Sequence, residues 1–167
     1  MIHPGTDERE MPMTTWTQRL AELGLRLPEV ARPVASYAPA VRSGDHVHTA
    51  GQLPFVEGAL AATGKLGAEV TVEEGQRLAR ICVLNALAAV DGVVGLDALS
   101  GVVKVVGFVA SAPGFTAQPT VLNGASELLG EVFGSAGTHA RSAVGVAELP
   151  LGAPVEVELV AEVSAHS

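Results

Sequence analysis

His139-Ala-Arg-Ser-Ala-Val-Gly-Val-Ala-Glu-Leu-Pro-Leu-Gly-Ala-Pro-Val-Glu-Val-Glu-Leu-Val-Ala161 is the stretch on which the reading of this chain turns. Two segments of β-type alternation flank a Leu-Pro-Leu-Gly-Ala-Pro turn. Arg141 heads the first segment and Glu156 stands near the start of the second. An arginine holds a small carboxylate through two parallel hydrogen bonds. A glutamate orients or deprotonates a water. A scaffold that carries both to one small pocket has the groups needed to hydrolyse a small acid.

Working outward, the chain has 167 residues, enough for one domain with a substantial core. Hydrophobic residues make up 48%, which excludes disorder, and aromatics only 4%, so Val, Leu and Ala must build the interior. The net charge of −8 opposes a nucleic-acid surface, which needs clustered Lys and Arg, and favours action on small molecules. Cys82 is the single cysteine, so no intrachain disulfide forms and a reducing, cytoplasmic setting is expected. No stretch reads as a signal peptide or a membrane span.

Residues 1–13 read as a disordered leader and 14–33 as a short N-terminal helix with a connector, the helix capped by Thr14 or Thr15 and running through Gly24. Trp16, Leu20 and Leu23 form its apolar stripe. The main domain is expected over 34–163, with a tail at 164–167. Val34–Arg42 and His46–Gln52 read as strands joined by a turn at Ser43-Gly44-Asp45, and 53–70 as a long surface loop. Thr71 caps a helix, with Glu74 at the capping-box position, running to about Val90 before Asp91-Gly92. Leu99–Ser111 reads as a strand with valines on both parities, so both of its faces should be buried. Phe115–Phe133 reads as a second long helix, followed by the two closing strands.

The resulting class is α+β: a β-β-α-β-α-β-β sheet with two helices on one face, plus the short N-terminal helix. Helices cover one face only, so further copies of the chain are expected to cover the other in a closed homo-oligomer.

Several side chains carry two readings. Arg141 is a carboxylate anchor or a surface or intersubunit ion-pair residue. Glu156 shares its parity with Glu158 and Glu162, so it handles water or belongs to the polar face of a half-exposed strand. His139 borders the Arg141 pocket or sits in solvent at a loop edge. His46 and His48 share a strand face but lack a third metal ligand. Cys82 reads as a small buried hydrophobe. Gly58-Ala-Leu-Ala-Ala-Thr-Gly-Lys65 is no phosphate loop, having one residue too many between its glycines and Leu66 in place of Ser or Thr.

On this element order and four local matches the chain resembles the reactive intermediate deaminase family, RidA/YjgF type, formerly called endoribonuclease L-PSP. The matches are Tyr37-Ala-Pro-Ala-Val, Thr49-Ala-Gly-Gln-Leu-Pro, Leu84-Asn85-Ala-Leu, and Arg141-Ser-x-Val-x-Val-x-x-Leu-Pro followed by Val155-Glu156-Val-Glu. The last is long and specific. The resemblance spans about Val34–Val163, in a divergent longer subgroup, and implies a chorismate-mutase-like fold.

It further implies a homotrimer with sites between subunits, and hydrolysis of enamine and 2-imino acid intermediates to 2-keto acids and ammonia. No metal and no organic cofactor are implied. By position, Arg141 would hold the substrate carboxylate. The Gly51 backbone and Glu156 would place water and the imine nitrogen. Tyr37, Asn123 and Phe115 would line the pocket. Two positions depart from the pattern: Ala50, where studied deaminases carry serine, and Ala143, where many carry cysteine. A non-enzymatic carboxylate-binding or regulatory trimer would use the same pocket. Single-stranded RNA cleavage is opposed by the acidic composition and the few aromatics available to stack bases, and chorismate-mutase activity would follow from fold analogy alone.

Overall fold

A computed structural model describes residues 13–30 and 36–165. The expected leader and parts of the connector, of the first strand and of the tail lie outside them. Among the described residues three α-helices, α1 (Trp16–Glu22), α2 (Val72–Val94) and α3 (Gln118–Phe133), accompany seven strands. These are β1 (Ala40–Ser43), β2 (His46–Thr49), β3 (Phe55–Val56), β4 (Ala59–Leu60), β5 (Leu99–Ala110), β6 (Ala140–Val146) and β7 (Val155–Val163). Five of them form one mixed sheet in the order β1-β2-β7-β5-β6, in which only β5 and β6 run parallel. α2 and α3 lie side by side across one face. The β-β-α-β-α-β-β frame is therefore present, with a small β3–β4 hairpin added.

Local chemistry accounts for the element ends. Thr15 caps α1 by accepting from the Gln18 amide at 3.1 Å, while its own amide donates to Gln18 Oε1 at 3.0 Å. Trp16 anchors α1 by donating its indole N–H to the Leu99 carbonyl at 2.8 Å. Thr71 caps α2 by accepting from the Glu74 amide, but the Glu74 carboxylate turns to Arg77, so the box is half made. α2 outruns its expected end by one turn. Asp91 does not stop it; its carboxylate caps the following turn by accepting from the Leu96 amide at 2.9 Å, and the chain breaks at Gly95 with φ +78°. The second long helix starts at Gln118 rather than Phe115.

Between β1 and β2 the turn is Gly44-Asp45, with Gly44 at φ +59°. β1 is shorter than expected, although the Pro39 carbonyl still accepts from Ala50 at 2.8 Å. Residues 53–70 are only partly a surface loop, because they contain β3 and β4 and send Leu66 and Val70 into the core.

Burial of both faces of β5 does not hold in the single chain. A bulge between Val102 and Lys104 ejects Val103, which is 40% exposed, and switches parity, so Val102, Val105 and Val109 all face the helices. The mixed parity of the valines is in part this bulge. Opposite the helices, Val106 and Phe108 are half-buried and Val144 is exposed, forming an open face with Lys104, Glu156 and Glu158.

Candidate active site

A second bulge shapes the site. β2 pairs with β7 as far as His48–Val160, and the pairing resumes at Gln52–Val157 with one extra residue on the β2 side. In the gap Thr49 Oγ1 accepts from the Leu159 amide at 3.0 Å in place of a backbone carbonyl. The bulge lays Gly51 over Glu156, so closely that a Cβ at position 51 would overlap the Glu156 carboxylate. Just beyond, buried Asn85 of α2 donates to the Leu53 and Phe55 carbonyls, both at 3.1 Å, and fixes the segment that leaves Gly51.

Glu156 is half-buried, and its carboxyl is held above the usual carboxylate range, first by burial and second by the negative charge of Glu158. Among the described residues no donor reaches it. A carboxyl so placed holds its proton to higher pH than an exposed one, which suits it to exchange protons with a bound water.

Arg141 occupies a separate setting. Its Nη1 donates to Asn123 Oδ1 at 2.9 Å and to Ser126 Oγ at 3.2 Å, and its Nη2 to the Pro119 carbonyl at 3.2 Å. All three acceptors are neutral, so the guanidinium charge is uncompensated by any carboxylate among the described residues. Its Nε–H and one Nη2 hydrogen have no acceptor among the described residues and can serve an incoming carboxylate. Beside it opens a cleft of about 310 Å³, lined by Ser126, Gly130, Gly134, Gly137, Thr138 and His139.

The structure thus brings Arg141 to Asn123, and Gly51 to Glu156, but does not join the two pairs within one chain. Arg141 is level with Val105 on the helix-covered face, whereas Glu156 is level with Phe108 on the open face. Tyr37 is 53% exposed ahead of β1. Phe115 packs against Gly67 in the turn before α3. Ala50 is half-buried beside Gly51, and Ala143 packs on the core level with Gly107.

His139 is not a solvent-exposed loop residue; it is half-buried and bonded to Ser126. Ser126 itself went unnoticed in the sequence, although its place three residues after Asn123 puts both on one helix face. Burial, with the charge of Glu156 adding, pushes the Cys82 thiol well up, which rules it out as a thiolate nucleophile. His46 lies 3.9 Å from Glu162, an exposed pair at the sheet margin. No helix among the described residues is long and apolar enough to cross a membrane.

A mixed five-stranded sheet with two long helices across one face is the chorismate-mutase-like fold. The sequence profile described as "YjgF/chorismate_mutase-like, putative endoribonuclease" matches residues 17–163, and the chain belongs to this YjgF family. Protein TCP17 of Trypanosoma cruzi is 47% identical over 147 residues, covering 87% of this chain and 92% of its own. Atu1372 of Agrobacterium tumefaciens, a crystal structure of unknown function, superposes with a TM-score of 0.82 at 42% identity, covering 90% of this chain and 94% of the other. The crystal structure of E. coli TdcF with bound serine superposes with a TM-score of 0.61 at 26% identity, covering 83% and 94%.

Proposed function

We propose that this chain hydrolyses small enamine and 2-imino acid intermediates to 2-keto acids and ammonia in the cytoplasm, at sites completed between the subunits of a homotrimer. The observation that carries the reading is the half-buried Glu156 carboxyl, raised in pKa and seated over Gly51. An imine carbon is already electrophilic, so no side-chain nucleophile, metal or organic cofactor is required. An enamine first tautomerises to the imine; water then adds to the C=N carbon, its two protons pass in turn through Glu156 to the nitrogen, and ammonia leaves as the carbonyl forms. Arg141 holds the carboxylate, and the fixed geometry lowers the entropic barrier to attack. TdcF, a relative at 26% identity, was solved with bound serine, a small molecule that carries a carboxylate. Placement of Arg141 and Glu156 on opposite faces favours a site assembled from two copies, and the half-open apolar face around Val106, Phe108 and Val144 offers the surface for assembly.

The test is the decay of enzymatically generated 2-aminoacrylate and longer 2-imino acids, with wild type and Arg141→Ala in parallel. Faster decay with wild type alone is expected. No acceleration for any substrate overturns the reading and leaves a small-carboxylate-binding or regulatory trimer, which the replacements Ala50 and Ala143 favour. The net charge of −8 and the scarcity of aromatics weigh against RNA cleavage.

A further inference from the structure

We infer that Ser126 and His139 are positioning residues for Arg141, acting through a hydrogen-bond chain whose direction a backbone carbonyl sets. The inference rests on reading Arg141 as the carboxylate anchor. His139 Nδ1 lies 2.6 Å from the Gly137 carbonyl oxygen. A carbonyl only accepts, so Nδ1 carries the proton. In the neutral ring Nε2 is then an acceptor, and Ser126 Oγ, 2.9 Å away, donates its hydrogen to it. With its own hydrogen committed, Ser126 Oγ presents lone pairs only, and Arg141 Nη1 donates into one of them. The chain runs Arg141 N–H to Ser126 O–H to His139 Nε2, and ends at His139 Nδ1–H on Gly137.

The elements make this arrangement possible. Asn123 and Ser126 occupy one face of α3, His139 immediately precedes β6, and Arg141 lies two residues on. Gly137 packs so tightly on the end of α3 that a Cβ there would overlap the Leu129 carbonyl, which holds the terminal acceptor of the chain in place. The consequence for Arg141 is directional. Asn123 and Ser126 take both Nη1 hydrogens, so the guanidinium cannot turn that edge outward. The Nε–H and an Nη2 hydrogen are left for the incoming carboxylate, a fork set before the ligand arrives.

The replacements that test this separate the two ring nitrogens. In His139→Gln the amide oxygen reaches the place of Nε2 and can accept from Ser126. In His139→Asn the amide nitrogen reaches the place of Nδ1 and serves Gly137 only. The probe is 2-ketobutyrate, titrated calorimetrically into the intact oligomer, alongside KM and kcat for imine hydrolysis. His139→Asn and Ser126→Ala are expected to weaken 2-ketobutyrate binding and raise KM by roughly ten-fold, with kcat moving far less, because positioning of the anchor is lost. His139→Gln is expected to stay within about two-fold of wild type.

Retention by Asn with loss in Gln would show a loop tether and overturn the inference, as would equal behaviour of the two. Side-chain nitrogen resonances give a readout independent of ligand: the Nδ1–H tautomer at His139, and a rotationally restricted Arg141 guanidinium that becomes mobile in Ser126→Ala. An Nε2–H tautomer also overturns it. If wild type neither binds 2-ketobutyrate nor hydrolyses imines, the reading of Arg141 as anchor has failed, while the resonances still decide whether Ser126 and His139 order it.

Discussion

A methyl group at position 51 would collide with the Glu156 carboxylate, so Gly51→Ala must push that carboxylate from its seat. We expect turnover of 2-imino acids to fall by roughly ten- to a hundred-fold. Binding of a keto acid through Arg141 should change much less, and a comparison of kcat with the dissociation constant checks this. Glu156 also marks the stability curve. Its pKa in the folded chain is raised from 4.5, so folding favours its neutral form. That contribution is complete below the unfolded value and is lost as pH rises through the folded one. Above that range the ionised carboxylate is therefore a burden, softened by its partial exposure to solvent, and Glu156→Gln should melt higher than wild type at pH 7. The gap should close at about pH 4 in thermal melts across pH. The sequence displayed Arg141, Glu156 and Gly51 because each sits in a distinctive local motif. Ser126 and the role of His139 escaped because their partners come from another element, and no local pattern announces a contact between a helix and the start of a strand.

At the scale of elements, the contact that sets the helical layer is Gly124 of α3 against the backbone of α2. A Cβ at Gly124 would overlap the Gln76 carbonyl, and Gly107 of β5 makes similar room for Leu122. Gly124→Ala must separate the two helices or bend one. Overpacking of this kind costs about 1–3 kcal/mol, visible as a lower denaturation midpoint with an unchanged slope. Because Asn123 and Ser126 flank this contact, weaker keto-acid binding should accompany the loss. Elements with local signals were legible: the first cap to within one residue, at Thr14 or Thr15, the Thr71 cap, the turn within Ser43-Gly44-Asp45 and the long helices. The end of α2 was misjudged because an Asp-Gly pair looks like a stop, while the Asp91 carboxylate in fact caps the next turn. The parity of β5 was misread because a bulge slips the alternation by one residue, which only the register against β7 exposes. The loop at 53–70 hid a hairpin too short for a period to emerge.

For the molecule as a whole, the element order and the closing Arg141–Glu156 signature were enough to indicate the architecture and the YjgF family. What the sequence could not give was which face each residue takes. Both lie in the same closing stretch, yet the register sets Arg141 level with Val105 and Glu156 level with Phe108, on opposite sides of one sheet. If each working site draws its arginine from one subunit and its glutamate from a neighbour, two disabled proteins hold the parts of an active one. Arg141→Ala and Glu156→Gln, each inactive alone, should regain activity when unfolded together and refolded as a mixture. In a ring with one interface per subunit, random mixing at equal amounts restores roughly a quarter of the interfaces. A mixture as silent as its components would place both residues of each working site in one chain.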